Sequence, residues 1–211
     1  MIVSDDFVDA IKANDVNAIA AYLRRGGDPN AVSQFGSSLL SLAAYVGSSD
    51  GVRLLLESGA NHSAVDVAKV VPLFDAACHP NGQLCIKLLV SHGADVNWTS
   101  EIGYTALIEA TSKRLSENVR VLLDCGADAS RETANGETAL SYAIINDDID
   151  SVNYLIKKIN PNQSFGGGAS PWTPLKLAVF EANARIIALL VAHGADTKDL
   201  SFEYRHHGPR S

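Results

Sequence analysis

The chain is poor in cysteine, in aromatic residues and in positive charge, and it has no long apolar run. Its three cysteines, Cys78, Cys85 and Cys125, are odd in number and form no small-domain disulfide framework, so reduced thiols and a cytoplasmic location are expected. Lys and Arg number 17 against 24 Asp and Glu, a formal net charge of -7 with a pI near 5.3. That balance argues against nucleic-acid binding, which needs a basic stripe to release counterions, and favours a basic or neutral partner. No window approaches the roughly 20 apolar residues of a membrane helix, so no membrane contact is expected. The amino terminus, MIVSDDFVDA, lacks the basic start and apolar run of a secretory signal. Walker loops, HExxH, GxSxG and paired CxxC are absent as well, so neither an enzyme nor a cofactor is expected. What remains, 46% hydrophobic and 19% charged residues over 211 positions, is the composition of a folded protein.

The dominant positive feature is repetition. The stretch LLVSHGADVN (Leu88 to Asn97) has relatives at Tyr22 to Asn30, Leu55 to Asn61, Leu122 to Ser130, Leu155 to Asn162 and Leu189 to Thr197. Gly26, Gly59, Gly93, Gly126 and Gly194 hold one place in five copies and Ile159 holds it in the sixth, giving steps of 33, 34, 33, 33 and 35 residues. A period in this range marks one supersecondary unit stacked on itself. A second phrase opens each later repeat: GSSLLSLAA from Gly36, KVVPLFDAA from Lys69, GYTALIEAT from Gly103, GETALSYAI from Gly136 and PWTPLKLAV from Pro171. Ser38, Thr105, Thr138 and Thr173 are placed to cap a helix amino terminus, and a following Pro suits its first turn. Leu40, Leu73, Leu107, Leu140 and Leu175 then face a core, while Ala43, Ala76, Ala110, Ala143 and Ala178 let neighbouring helices approach. A polar turn and a second amphipathic helix follow, closed by the Gly as the left-handed residue that ends a helix. In the first repeat, Asp5, Asp6, Asp9 and Lys12 give the first helix a polar side suited to a terminal cap.

The pairing of TPLxxA (Thr173 to Ala178, with TALxxA at Thr105 and Thr138) with LLxxGADxN at this spacing resembles the ankyrin repeat family over about residues 5 to 200. The resemblance implies an all-α ankyrin-repeat solenoid of helix-turn-helix units with projecting hairpins, and a concave face made of hairpins and first helices. The expected organisation is a single domain over 1–203, with an N-cap at 1–35, repeats at 36–68, 69–102, 103–135, 136–169 and 170–203, and a fraying tail at 204–211. The chain departs from the family where the His of TPLH is replaced by Ser41, Phe74, Ile108, Ser141 and Lys176, and where Val71 lacks a capping hydroxyl. Counted from its Asn, the loop from Asn61 to Lys69 reads as two residues longer than its predecessor, and the one from Asn162 to Pro171 as longer still, with Gly166, Gly167 and Gly168 in it.

In that register the partner-facing positions are Phe35, Tyr45, Val46, His79, Glu101, Ile102, Tyr104, Ser112, Lys113, Glu137, Asn146, Trp172, Phe180 and Glu181. Five are aromatic although aromatics are 7% of the chain, and exposed aromatics in a polar surround are what interface anchors are made of. Tyr104 and Trp172 are the strongest of these; Phe35 and Phe180 could alternatively pack between adjacent hairpins, and Trp98 could brace a hairpin base. Cys78, His79, Cys85 and His92 do not have the spacing of a zinc site, and Cys85 lies in the apolar run LCIKLLV, so no metal is expected. His92 and His193 suit a helix carboxyl end. The sequons at Asn61, Asn97 and Asn162 recur at one place in the repeat, where Asn stabilises a turn through its own side chain. The expected function is a non-enzymatic module that binds a folded, possibly basic, protein and inhibits or sequesters it, in the manner of an immunity protein. An adaptor that tethers partners is the alternative. A catalytic or ligand-binding role would have to use the Gly166 to Gly168 run and the histidines. Met1 and the polar first helix lead to the expectation of a stand-alone chain, monomeric on its own.

Overall fold

Residues 1–67, 69–166 and 171–198 are described by a computed structural model. Among them are twelve helices: α1 (Asp5–Lys12), α2 (Val16–Arg24), α3 (Leu39–Tyr45), α4 (Ser49–Glu57), α5 (Pro72–Cys78), α6 (Gln83–Ser91), α7 (Ala106–Ser112), α8 (Ser116–Asp124), α9 (Ala139–Ile145), α10 (Ile149–Leu155), α11 (Pro174–Phe180) and α12 (Ala184–Ala192). None exceeds nine residues. Helices this short are not stable alone in water, so their stability comes from packing against neighbours. The expected tail at 204–211 and most of the Gly166 to Gly168 run lie outside the described residues.

Contacts divide the chain into two units, Met1–Asp128 and Ala129 onward. In the first, α1, α3, α5 and α7 pack side by side in one row and α2, α4, α6 and α8 in a second, with each consecutive pair forming an antiparallel hairpin. In the second unit α9 packs on α11 and α10 on α12.

The recurring phrases do what their chemistry requires. Leu40, Leu73, Leu107, Leu140 and Leu175 are at most 2% exposed, and the five alanines three residues later are fully buried. The hydroxyls of Ser38, Thr105, Thr138 and Thr173 accept from the backbone N–H of Ser41, Ile108, Ser141 and Lys176 at 3.0, 3.1, 3.0 and 3.3 Å. Val71 heads α5 with no side-chain cap, and Pro72 in the first turn covers part of that end. Gly26, Gly59, Gly93, Gly126 and Gly194 end the second helices at φ between 80° and 100°. Ile159 cannot adopt that conformation without steric conflict. The helix before it, α10, accordingly stops at Leu155 after seven residues where the other second helices run for nine.

Two local features were not legible in the sequence. The turn from α5 to α6, His79 to Gly82, is one residue longer than the others, which accounts for the 34-residue step. Fully buried Asn118 of α8 closes it: Nδ2 donates to the carbonyls of Ala77 (3.0 Å) and His79 (2.7 Å), and Oδ1 accepts from Gln83 Nε2 (2.6 Å). The second concerns the motif asparagines. Asn97 and Asn162 were expected to serve their own turns, but both reach into the following repeat. Asn97 donates to Gly126 O (3.4 Å) and accepts from Asp128 N (2.7 Å), while Asn162 donates to Gly194 O (3.0 Å) and accepts from Asp196 N (2.7 Å). Asn30 does the same toward Gly59 and Asn61. Asn61 serves its own turn as expected, accepting from Ser63 N at 2.9 Å, but it does not share the place of Asn97 and Asn162: it lies two residues after its Gly, where Asp95 lies in the next repeat.

Candidate protein-binding surface

The first helices α3, α5, α7 and α9 are each preceded by a hairpin closed by a tight turn, and in the hairpins at Ser33 to Ser37, Ser100 to Tyr104 and Thr133 to Glu137 the left-handed corner is Gly36, Gly103 and Gly136. In the hairpin Asp66 to Val70 that corner is Lys69, at φ 60°.

In the first unit the predicted partner-facing residues fall on hairpin tips and at first-helix ends. Phe35 (69% exposed) and Ile102 (60%) sit at tips, with Glu101 exposed beside Ile102, and Tyr45 (62%) closes α3 with half-buried Val46 as its cap. Lys113 is exposed at the end of α7, with Nζ 3.8 Å from Glu109 Oε1. Half-buried Ser112 instead donates its hydroxyl to Glu109 O, 2.9 Å away. His79 is half-buried after α5: its ring lies directly on Gly47, where a Cβ would come within 2.4 Å of Nδ1, and Nδ1 accepts from Asn81 N at 3.1 Å. Tyr104 is also half-buried, with its ring 6.3 Å from that of Phe74. Phe74 meets Trp98 edge-on at 5.6 Å, so Trp98 does brace a hairpin base.

In the second unit Trp172 and Phe180 form an edge-to-face pair at 5.5 Å, with Phe180 72% exposed and Glu181 exposed next to it. Trp172 also pairs through its backbone with Phe165. Asn146 caps α9, half-buried. Glu137 is turned inward, its carboxylate accepting from the Tyr142 hydroxyl at 2.9 Å.

The sequence reading passed over Val67, 72% exposed and packed over Gly36, and Val65, 53% exposed. The extra length read for this loop is not there: Lys69 follows Gly59 by the same ten residues that separate Gly36 from Gly26, because Asn61 stands two residues earlier in its repeat than Asn30, and composition alone does not say which side chains a loop turns outward. His92, His193 and the cysteines have structural settings. His92 and His193 lie over the last turns of α6 and α12, with Nδ1 at 2.8 and 2.9 Å from the carbonyls of Leu88 and Leu189. All three cysteines are free. Cys85 is fully buried, and burial raises its thiol to about 11; Cys78, raised to about 12 first by burial and then by its contact with Glu109, donates to Glu109 Oε1 at 3.2 Å. Among the described residues no group of three or more His, Cys, Asp or Glu side chains is placed to hold a metal ion. No described helix is long and apolar enough to cross a membrane.

The family of ankyrin repeats matches the sequence in three overlapping copies, residues 7–99, 73–165 and 120–201. The chain belongs to the ankyrin repeat family. Rabankyrin-5 of Homo sapiens is 32% identical over 177 residues, covering 83% of this chain and 15% of that protein. Ankyrin repeat and SOCS box protein 6 of Homo sapiens is 29% identical over 167 residues, covering 76% of this chain and 35% of that protein. The crystal structure of the human ASB11 ankyrin repeat domain superposes with a TM-score of 0.77 at 25% identity, covering 93% of this chain and 86% of that one. The chain thus spans about a seventh to a third of these two relatives' length. Ankyrin repeats are protein-protein interaction modules, and both the all-α fold and the motif register here are those of the family.

Proposed function

We propose that this ankyrin repeat chain grips a folded protein with its hairpin tips and first-helix ends, and that it acts by occupying that protein, as an inhibitor or sequestering factor does. The observation that carries this reading is where large apolar side chains stay exposed. Among the described residues Phe35, Tyr45, Val65, Val67, Ile102, Ile145, Trp172 and Phe180 are on hairpins or at the ends of first helices, against Leu84 and Val191 on second helices and Met1 and Ile2 at the amino terminus. Side chains of this kind, set among polar neighbours, supply most of the energy of protein interfaces. With a formal net charge of -7 and Glu101 and Glu181 exposed beside the aromatic positions, attraction favours a basic partner. The reading takes the chain as non-enzymatic, monomeric and cytoplasmic.

The test is affinity capture from the source cells, read by mass spectrometry, with Tyr104→Ala and Trp172→Ala as separate controls. A stoichiometric partner should be retained by the native chain and weakened by about 2 kcal/mol or more in at least one variant. Loss with one variant alone assigns the contact to that unit. Loss of the partner's activity on adding the chain supports inhibition; full activity in the complex replaces it with tethering. If no protein is enriched, the reading fails.

A further inference from the structure

The departures of the third repeat from its neighbours converge on one place. Its hairpin keeps the length of the one before it, but its left-handed corner is Lys69 at φ 60° where three other hairpins have glycine. Sterics disfavour any residue with a Cβ in that conformation, and at this corner it leaves the Lys69 side chain exposed. Phe74 fills a position that is Ser41, Ile108, Ser141 or Lys176 in the other repeats, and its ring carries Trp98 on one side and Tyr104 on the other.

Together these departures build a groove of about 360 Å3 between the hairpins of the third and fourth repeats, lined by Lys69, Val70, Phe74, Glu101, Ile102 and Tyr104. The base is apolar and aromatic. The hairpin on one side contributes a cation and the hairpin on the other an anion. Among the described residues neither Lys69 nor Glu101 enters an ion pair. A groove of this kind binds tightest to a segment that fills the apolar base and meets both charges, and it rejects one that presents them in the wrong order.

We propose that this groove reads an extended segment of the partner protein in which a large apolar residue, Leu, Met or Phe, lies between an acidic and a basic residue. The apolar side chain rests on Phe74 and Tyr104, the basic residue pairs with Glu101, and the acidic residue pairs with Lys69. The inference rests on the reading of the hairpin side as the protein-binding surface, and it adds the chemistry and polarity of what is bound there.

Selection of a random-peptide phage library on the full chain tests it, with the enriched peptide then mapped by amide chemical shifts. The expected consensus is a large apolar residue flanked by opposite charges in a fixed order, with shifts at Val70, Phe74, Ile102 and Tyr104. In the Lys69→Glu/Glu101→Lys double variant, checked for unchanged helicity, the order of the two charges should invert. An unchanged order, or a consensus without the charge pair, overturns the assignment. So does a consensus whose shifts fall instead on Tyr45 and His79, an outcome that leaves the protein-binding function intact. If no peptide is enriched while capture from cells succeeds, the groove proposal alone falls; if both fail, the function falls with it.

Discussion

Asp75, in the first turn of α5, shows how one side chain in a repeat core acquires a distinct chemistry. Burial raises its carboxyl from the ordinary 3.8 to about 7, with Asp66 adding repulsion and the Ser41 hydroxyl offsetting part of the rise. Its Oδ2 is buried without a hydrogen bond of good geometry, and so is Ser41 Oγ. Between about pH 4 and 7 the folded chain holds a proton here that the unfolded chain has released, so folding is weakened as pH rises through that window. Asp75→Asn should therefore be more stable than the native chain at pH 8, with the difference vanishing near pH 4; urea titrations at both pH values would show it, and a constant difference would mean that Asp75 is not the titrating group. Lys69 is the second residue whose setting predicts a measurable effect. Releasing its left-handed strain by Lys69→Gly should stabilise the chain by roughly 1 kcal/mol despite the loss of a side chain, and a destabilisation would show that the lysine makes contacts that outweigh the strain.

For single elements the governing fact is that none of the helices is long enough to hold itself together. Leu140 of α9 is 1% exposed, and truncation to Ala should cost roughly 2 to 5 kcal/mol by denaturant unfolding. Asn118 should matter about as much for a different reason: Asn118→Leu keeps the volume but leaves the carbonyls of Ala77 and His79 buried without a donor, about 1 to 3 kcal/mol of loss. The two differ in legibility. Leu140 is marked by its place in TALxxA, a pattern repeated in register. Asn118 lies 39 residues from the turn it closes and occurs at that place in one repeat only, so no periodicity announces it. The same holds for the groove: Phe74 and Tyr104 stand out as departures from a motif, but that they share a floor with Lys69 opposite Glu101 is a matter of three-dimensional neighbourhood.

At the scale of the whole molecule, contacts mark two units while the repeat period runs through their boundary without a break, from Gly126 to Ile159 in 33 residues. We propose that residues 1–203 nonetheless unfold as one cooperative domain. The two tryptophans, Trp98 and Trp172, lie one in each unit and make the proposal measurable. Single-tryptophan variants, Trp98→Phe and Trp172→Phe, followed by fluorescence in urea should give coincident midpoints once corrected for the substitution itself; separated transitions would establish two independently folding units.

Periodicity and local chemistry were enough to specify the fold, because each repeat carries its own caps, core leucines, small alanines and helix-ending glycine within about 33 residues, and such short-range signals survive in a one-dimensional reading. Val67, Lys69 and the groove beside them belong to the other category. Which exposed side chains meet depends on where a hairpin carries them and on what the next repeat places opposite, and both follow from the stacking of units rather than from residues adjacent in the chain.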